Sequence, residues 1–375
     1  MIVCAAPRKE RPPTVAFVLE QTLGHVTHSA NLESLLGASR GFDITFVPVQ
    51  FETFGLASRL PGYSNWTVRA GLRARRAIRR LWGKRRITAM FIHTQVPAIL
   101  VRGWMRRIPT IISLDATPVQ YDSLGAFYAH DQSSPRIERW KKSANTRCFA
   151  RARHLVVWAD WTKVSLVRDY HVEPARITVI APGVDVERWQ RLANSERSPT
   201  PVRVLFVGGD LERKGGLLLL EAARQLRAEC SVGEFELHLV TKSQIEQESG
   251  VFVHTMTPNS PELVALYHQS HIFCLPTLGD CLPMVLSEAG VTGMALIATD
   301  VGAISEIVKD RETGLLIAPG DLAALKAALR ELINDGELRA RLGGCAERLV
   351  RRDFDARINS ARIMGLLDEL AGDAR

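Results

Sequence analysis

Short, wholly apolar runs alternate with longer amphipathic stretches along this chain, and glycine or proline marks most of the changeovers. "TVAFVL" (Thr14–Leu19) and the apolar centres of "FDITFVPVQ", "ITAMFIHTQ", "TIISLDATP", "ARHLVVWADW" and "ITVIAPGVD" read as strands. Uninterrupted apolarity is the pattern of a strand buried on both faces of a parallel sheet. A glycine turn and a helix follow the first strand, and helical stretches precede "ITAMFIHTQ" and "TIISLDATP". The alternation predicts a doubly wound α/β domain over residues 1–190.

The polar, proline-bearing "NSERSPTPV" then reads as a linker, placed at 191–201. Beyond it the rhythm restarts with "VRVLFVGG" as strand and "GLLLLEAARQLRAE" as helix, followed by "FELHLVT", "SPELVALYHQS" and "IFCLPT". "PMVLSEAGVTG", "ALIAT", "GLLIAPGD" and an amphipathic helix "LAALKAALRELINDG", taken to end at Gly336, complete a second α/β domain over 202–356. A last helix covers roughly Arg357 to Leu370, and the segment 357–375 is expected to cross back to the first domain. Ligands of such folds bind outside the carboxyl ends of the strands, so two facing domains would form a cleft there.

Composition narrows the class. At 375 residues the length suits two domains, each large enough for its own core, and 46% apolar with 23% charged residues is ordinary for a soluble protein. No apolar run approaches the length of a spanning helix, and "MIVCAAPRKERPP" is too briefly apolar for a secretory signal. The six cysteines (4, 148, 230, 274, 281 and 345) form no CxxC pair, which argues against a zinc site or a disulfide framework and for reduced thiols in a cytosol. A formal charge of +8 favours phosphates, anionic lipid headgroups or nucleic acid without choosing among them.

Two segments carry candidate chemistry. In "VLFVGGDLERKGG", a strand enters a Gly208-Gly209 turn and Lys214 stands at a helix start. Glycines let backbone approach a ligand, and a lysine beside a helix N-terminus suits a diphosphate. Arg213 offers a bidentate second contact. A solvated turn with an ordinary charge cluster accounts for the same residues equally well. Neither GxxxxGK[ST] nor GxGxxG is present. In "PTLGDCLPMVLSEAG", Pro283 suits a helix first turn, and the amides of Leu282, Pro283's neighbour Met284 and the residues around them would form an anion site. Asp280 lies in the loop ahead, and Glu288 falls well inside an apolar helix. An acid there is costly unless paired or hydrogen-bonded, which favours a ligand or fixed partner over a solvent-facing position.

These residues resemble family 4 glycosyltransferases of the GT-B fold. "GDCLPMVLSEAGVTGMALIATDVGAISEIVKDRETGLLIAPGD" is similar to that family's paired-acid helix and the run after it, and "ITVIAPGVDVERW", "VLFVGGDLERKGG" and "SPELVALYHQSHIFCLPT" match further segments. The likeness is continuous from about Leu155 to Asp321 and looser in the N-terminal half. It implies that Glu288 accepts hydrogen bonds from a nucleotide's ribose, that Asp280 holds donor-sugar hydroxyls, that Lys214 neutralises the diphosphate, and that Gly24 admits backbone near the donor phosphates. Two departures stand out: the first acid is Asp280 rather than Glu, and Gly209 replaces a turn arginine, for which Arg213 is the candidate substitute. The family's acceptor-side histidine is also missing. Leu114-Asp115 stands in its place, which leaves Asp115, His25 and His93 as acceptor-side candidates; a lone histidine is more often a packed or surface residue than a catalyst.

The resemblance further implies retention of anomeric configuration. Cations and helix amides standing in for a metal, with no Asp-x-Asp metal motif beside them, point to a metal-independent transferase without a cofactor. The expected partners are a nucleotide sugar and a saccharide or lipid-linked acceptor. The basic stretch Arg69–Arg86, with nine Arg or Lys in 18 positions, suggests docking on an anionic membrane or else a solvated outer helix. No aromatic platform supports nucleic-acid binding. The expected location is cytoplasmic, peripheral at the inner face of a membrane. A catalytically degenerate GT-B protein that binds nucleotide sugar, or a related sugar-nucleotide epimerase, is the competing reading.

Overall fold

The computed structural model describes residues 14–22, 24–37, 42–51, 65–124, 134–190, 197–229 and 234–372. The basic-residue segment falls within these, whereas Cys4, Cys230 and the larger part of the expected linker, 191–196, lie outside them. Two six-stranded sheets carry the fold. The first comprises β1 (Thr14–Glu20), β2 (Asp43–Val49), β3 (Ile87–His93), β4 (Thr110–Leu114), β5 (His154–Val157) and β6 (Ile177–Val179), in the order β2-β1-β3-β4-β5-β6. The second comprises β7 (Val202–Val207), β8 (Phe235–Val240), β9 (Val251–His254), β10 (Ile272–Leu275), β11 (Ala295–Thr299) and β12 (Gly314–Ile317), in the order β12-β11-β10-β7-β8-β9, with every neighbouring pair parallel.

Every residue of β1, β10 and β11 is buried, as their unbroken apolar runs require. The edge strands differ: β2 is half-buried over much of its length, and β9, with Phe252 and Val253 both 43% exposed, is a four-residue strand that the apolar pattern did not disclose. A second difference concerns Gly336. It does not end the helix Leu322–Asn334; Asp335 caps a new helix, Gly336–Asp353, by accepting from the Leu338 amide at 2.8 Å.

The chain divides into two compact units. One takes in Met1–Ser113, Ser143–Val156 and Arg362–Arg375, and the other Leu114–Lys142 and Val157–Ala361. In the second unit one continuous core surrounds Trp189, Phe206, Tyr267 and Phe273. The helix Ala356–Gly372, part of which belongs to the first unit, buries Ile363, Leu367 and Ala371 at i, i+4 and i+8.

Candidate active site

The second sheet reverses its winding between β7 and β10, since β8 and β9 lie to one side of β7 and β10, β11 and β12 to the other. Ligands of open α/β sheets bind at the carboxyl ends of the strands at such a reversal. The two loops leaving those ends are 208–215 and 276–283, and they hold most of the candidates named from sequence.

The loops are zipped together by backbone. The Leu278 amide donates to Arg213 O at 2.8 Å, and Thr277 Oγ1 donates to the same carbonyl at 3.1 Å. Gly215 makes this approach possible. It sits at φ +76°, and a Cβ there would lie 1.9 Å from Pro276 O, so only glycine fits. Gly302, at φ +62°, does the same from the other side, where a Cβ would lie 2.2 Å from Asp280 O. Next to it the Ala303 amide donates to Cys281 O at 2.8 Å. Sequence reasoning singled out Gly208 and Gly209 in this region. A Cβ on Gly208 would press on the Phe206 ring at 2.9 Å, whereas at Gly209 and Gly24 no atom of the described residues lies within 4 Å of that position to explain a glycine.

Lys214 and Asp280 meet. The Lys214 ammonium and the Asp280 carboxylate form an ion pair, with side chains only 16% and 12% exposed. Arg213 turns elsewhere: its Nε donates to Asp210 Oδ2 at 3.1 Å and its Nη1 to Gly279 O at 2.8 Å, so the guanidinium staples the two loops. Just beyond Asp280, Pro283 caps the helix Met284–Val291, and Leu282 is buried beside it. The first amides of that helix lack intrahelical acceptors.

Glu288 is the fifth residue of the helix and is buried. Its Oε2 accepts from Tyr267 Oη at 3.1 Å, a partner that sequence reasoning did not find. Burial pushes the Glu288 carboxyl up to about 7, and the Tyr267 bond pulls the other way. Tyr267 is itself fixed by Trp189, edge-on at 5.0 Å, and by Phe273, stacked at 5.6 Å.

Asp115, placed on the acceptor side from sequence, belongs to the second unit. It is buried and accepts from the Tyr121 hydroxyl, and Thr162 Oγ1 donates to its carbonyl at 2.6 Å. Cys281 stands close by. Burial, then the carboxylates of Asp115 and Asp280, push its thiol well up, while the Tyr121 hydroxyl bonded to it opposes that shift. Glu306 caps the helix Asp160–Tyr170, accepting from the amides of Asp160 and Trp161 at 2.9 and 2.8 Å.

His25 and His93 lie in the first unit and meet edge-on, their ring centres 4.6 Å apart. His93 is fully buried; burial first, then nearby His25 and His28, hold its pKa well below the ordinary imidazole value. Also in the first unit, the basic stretch forms the helix Trp66–Trp82, which buries Ala70, Gly71, Ala74 and Ile78. Arg69 and Arg73 fold back onto the carbonyls of Phe51 and Gln50, while Arg75, Arg76, Arg79 and Arg80 are exposed, and Trp82 packs on Trp104 at 5.4 Å. Among the described residues no cluster of three His, Cys, Asp or Glu is placed to hold a metal ion, and no helix is long and apolar enough to cross a membrane.

Two comparisons define the class by fold. Sucrose-phosphate synthase from Thermosynechococcus elongatus superposes with a TM-score of 0.74 at 16% identity, covering 97% of this chain and 100% of that one. HepE from Anabaena, solved in complex with UDP and glucose, gives 0.69 at 13% identity over 95% of this chain and 100% of that one. The architecture is therefore the GT-B type of α/β fold. Family profiles described as "Glycosyltransferase Family 4" and "Glycosyl transferases group 1" match residues 24–188 and 201–335. The chain belongs to the family 4, group 1 glycosyltransferases. Among its relatives is D-inositol 3-phosphate glycosyltransferase of Corynebacterium glutamicum, 28% identical over 69% of this chain and 68% of that protein. The same-named protein of Corynebacterium efficiens is 26% identical, over 64% of this chain and 62% of that protein. MMP alpha-(1->4)-mannosyltransferase of Mycolicibacterium hassiacum is 28% identical over 56% and 53%. The matched stretch thus spans about half to two thirds of these relatives.

Proposed function

We propose that the protein is a retaining glycosyltransferase that moves a hexosyl unit from a nucleotide-diphosphate sugar to a saccharide or lipid-linked acceptor without a metal. The observation that carries this reading is the Lys214–Asp280 pair at the winding reversal of the second sheet, beside the N-terminus of Met284–Val291. Breaking a sugar–diphosphate bond builds negative charge on phosphate and positive charge on the ring. A preorganised ammonium and helix amides stabilise the first of these, the work a metal does elsewhere. Before the donor arrives, Asp280 keeps the ammonium neutralised and oriented. A diphosphate competes for Lys214 and leaves the Asp280 carboxylate to accept from sugar hydroxyls. Glu288, deeper along the same helix, accepts from the ribose. Because HepE was solved with UDP, UDP-sugars are the first donors to test, and the relatives' names make inositol 3-phosphate a first acceptor.

The test is release of nucleoside diphosphate from UDP-, GDP- and ADP-sugars by wild type and Glu288→Ala. Release by wild type that the variant loses supports the reading. Tight donor binding with no turnover over a broad acceptor panel leaves the degenerate alternative instead. We further propose that the exposed arginines of Trp66–Trp82, with Trp82 beside them, dock the protein on an anionic membrane from the cytoplasmic side.

A further inference from the structure

The helix Asp160–Tyr170 begins without a cap of its own, because the residue at its N-cap is Ala159, which has no side-chain oxygen to offer. Glu306 supplies the cap from 145 and 146 positions away. Its Oε2 accepts from the Asp160 amide at 2.9 Å and its Oε1 from the Trp161 amide at 2.8 Å. Each oxygen takes one amide. A glutamine there would set an NH2 group, which only donates, against one of the two N–H groups. The helix dipole favours the negative charge as well.

The turn that Glu306 holds carries the Asp115 segment. Thr162 Oγ1 donates to Asp115 O at 2.6 Å, Gln120 Nε2 donates to Trp161 O at 2.8 Å, and the hydroxyls of Thr117 and Ser165 are bonded at 2.6 Å. From this segment the Asp115 carboxylate and the Tyr121 hydroxyl, bonded to each other, act on the Cys281 thiol. Glu306 is tied to the same place from the other side. It closes the short turn Ile304–Glu306, its amide donates to Ala303 O at 3.0 Å, and the Ala303 amide donates to Cys281 O at 2.8 Å. The bonds make a ring that runs from Cys281 through Ala303, Glu306, the helix start and Asp115 back to Cys281, all of it within the second unit.

We propose that Glu306 is a positioning residue for sugar transfer: by capping Asp160–Tyr170 it holds the Asp115 carboxylate in place against the Asp280–Cys281 loop. Opening the ring at the cap frees the Asp115 segment to shift relative to that loop. The Lys214–Asp280 pair and the Glu288 carboxyl make none of the ring's bonds, so nucleotide binding survives the loss of the cap while turnover falls. The consequence for transfer rests on the glycosyltransferase reading; the mechanical tie between Glu306 and Asp115 does not.

The test uses the full chain and the nearly isosteric Glu306→Gln, with Thr162→Val, which opens the ring at its next bond, as the second variant should the first not fold. Hydrogen exchange read by mass spectrometry is expected to quicken over both 160–166 and 114–122, with β8 unchanged. Faster exchange over 160–166 alone breaks the tie and overturns the proposal. For whichever of the UDP-, GDP- and ADP-sugars wild type turns over, kcat should fall about 10-fold, since misplacement by 1 Å costs up to about 100-fold. The Kd of the matching nucleoside diphosphate should stay within about 2-fold. An unchanged kcat, or a Kd that rises in step with its fall, overturns the positioning role. In an Asp115→Asn background Glu306→Gln should cost little more; an equal loss in both backgrounds shows that Glu306 does not act through Asp115. Wild type without turnover counts against the transferase reading alone, and the exchange experiment then decides the tie.

Discussion

Replacing Glu288 with glutamine removes a titration that the fold makes unusual. The folded carboxyl is pushed up to about 7 by burial, against an ordinary value of 4.5. Between those values the folded protein holds a proton that the unfolded chain has released. Stability from this group is therefore fully present below about pH 4.5 and is lost as the pH rises toward 7. The gap corresponds to about 3 kcal/mol, which for a unit of this size is a melting shift of about 6–12 °C. The raw profile of wild type mixes this with an opposing trend. His238, His254 and His271 are held below their ordinary pKa by burial, so what they contribute grows as pH rises toward 6.5. Glu288→Gln keeps those histidines and the Tyr267 contact geometry, so the difference between variant and wild type isolates Glu288. Melting midpoints across pH 4.5–8 should show the variant gaining on wild type by about 6–12 °C as pH rises. Parallel profiles would refute the reasoning. Tyr267→Phe removes the bond that pulls the Glu288 value down and should move the window to higher pH.

Lys214→Ala leaves a nearly buried carboxylate without its ammonium and should destabilise the protein by about 3 kcal/mol; adding Asp280→Asn should restore part of that in urea melts while donor turnover stays lost. Gly215→Ala forces a left-handed φ onto alanine, about 1–2 kcal/mol, and drives a methyl into Pro276 O, so both the melting point and UDP binding by calorimetry should fall. Changing Arg75, Arg76, Arg79 and Arg80 to alanine should weaken co-sedimentation with phosphatidylglycerol vesicles by up to ~1000-fold, at about 1 kcal/mol per residue. Wild type that fails to sediment at low salt would end the membrane proposal.

The strands and helices that the apolar pattern marked were legible because a buried parallel strand has no polar side to blur it. β9 escaped since half its side chains face solvent at the sheet edge. The helix Gly336–Asp353 escaped because Gly336 looks like a helix end, and only Asp335 reaching the Leu338 amide shows that it is a beginning. At the site, Lys214, Asp280 and Glu288 stand out by residue type against their surroundings. Their partners do not. Tyr267 reaches Glu288 from 21 positions away, and Lys214 meets Asp280 across 66. Glu20 carries no mark in the sequence for the same reason: Thr94, whose hydroxyl donates to its carboxylate, stands 74 positions away.

The interleaved make-up of the two units has a consequence during synthesis. The first unit receives Ser143–Val156 early, but its remaining piece, from Arg362 on, is translated about 200 residues later. At roughly 5–20 residues per second that is a delay of about 10–40 s. The second unit meanwhile acquires its whole sheet, β7 to β12, and can fold first. The nascent first unit must wait without the apolar stripe of Ile363, Leu367 and Ala371, an interval in which a ribosome-associated chaperone has a specific apolar surface to shield.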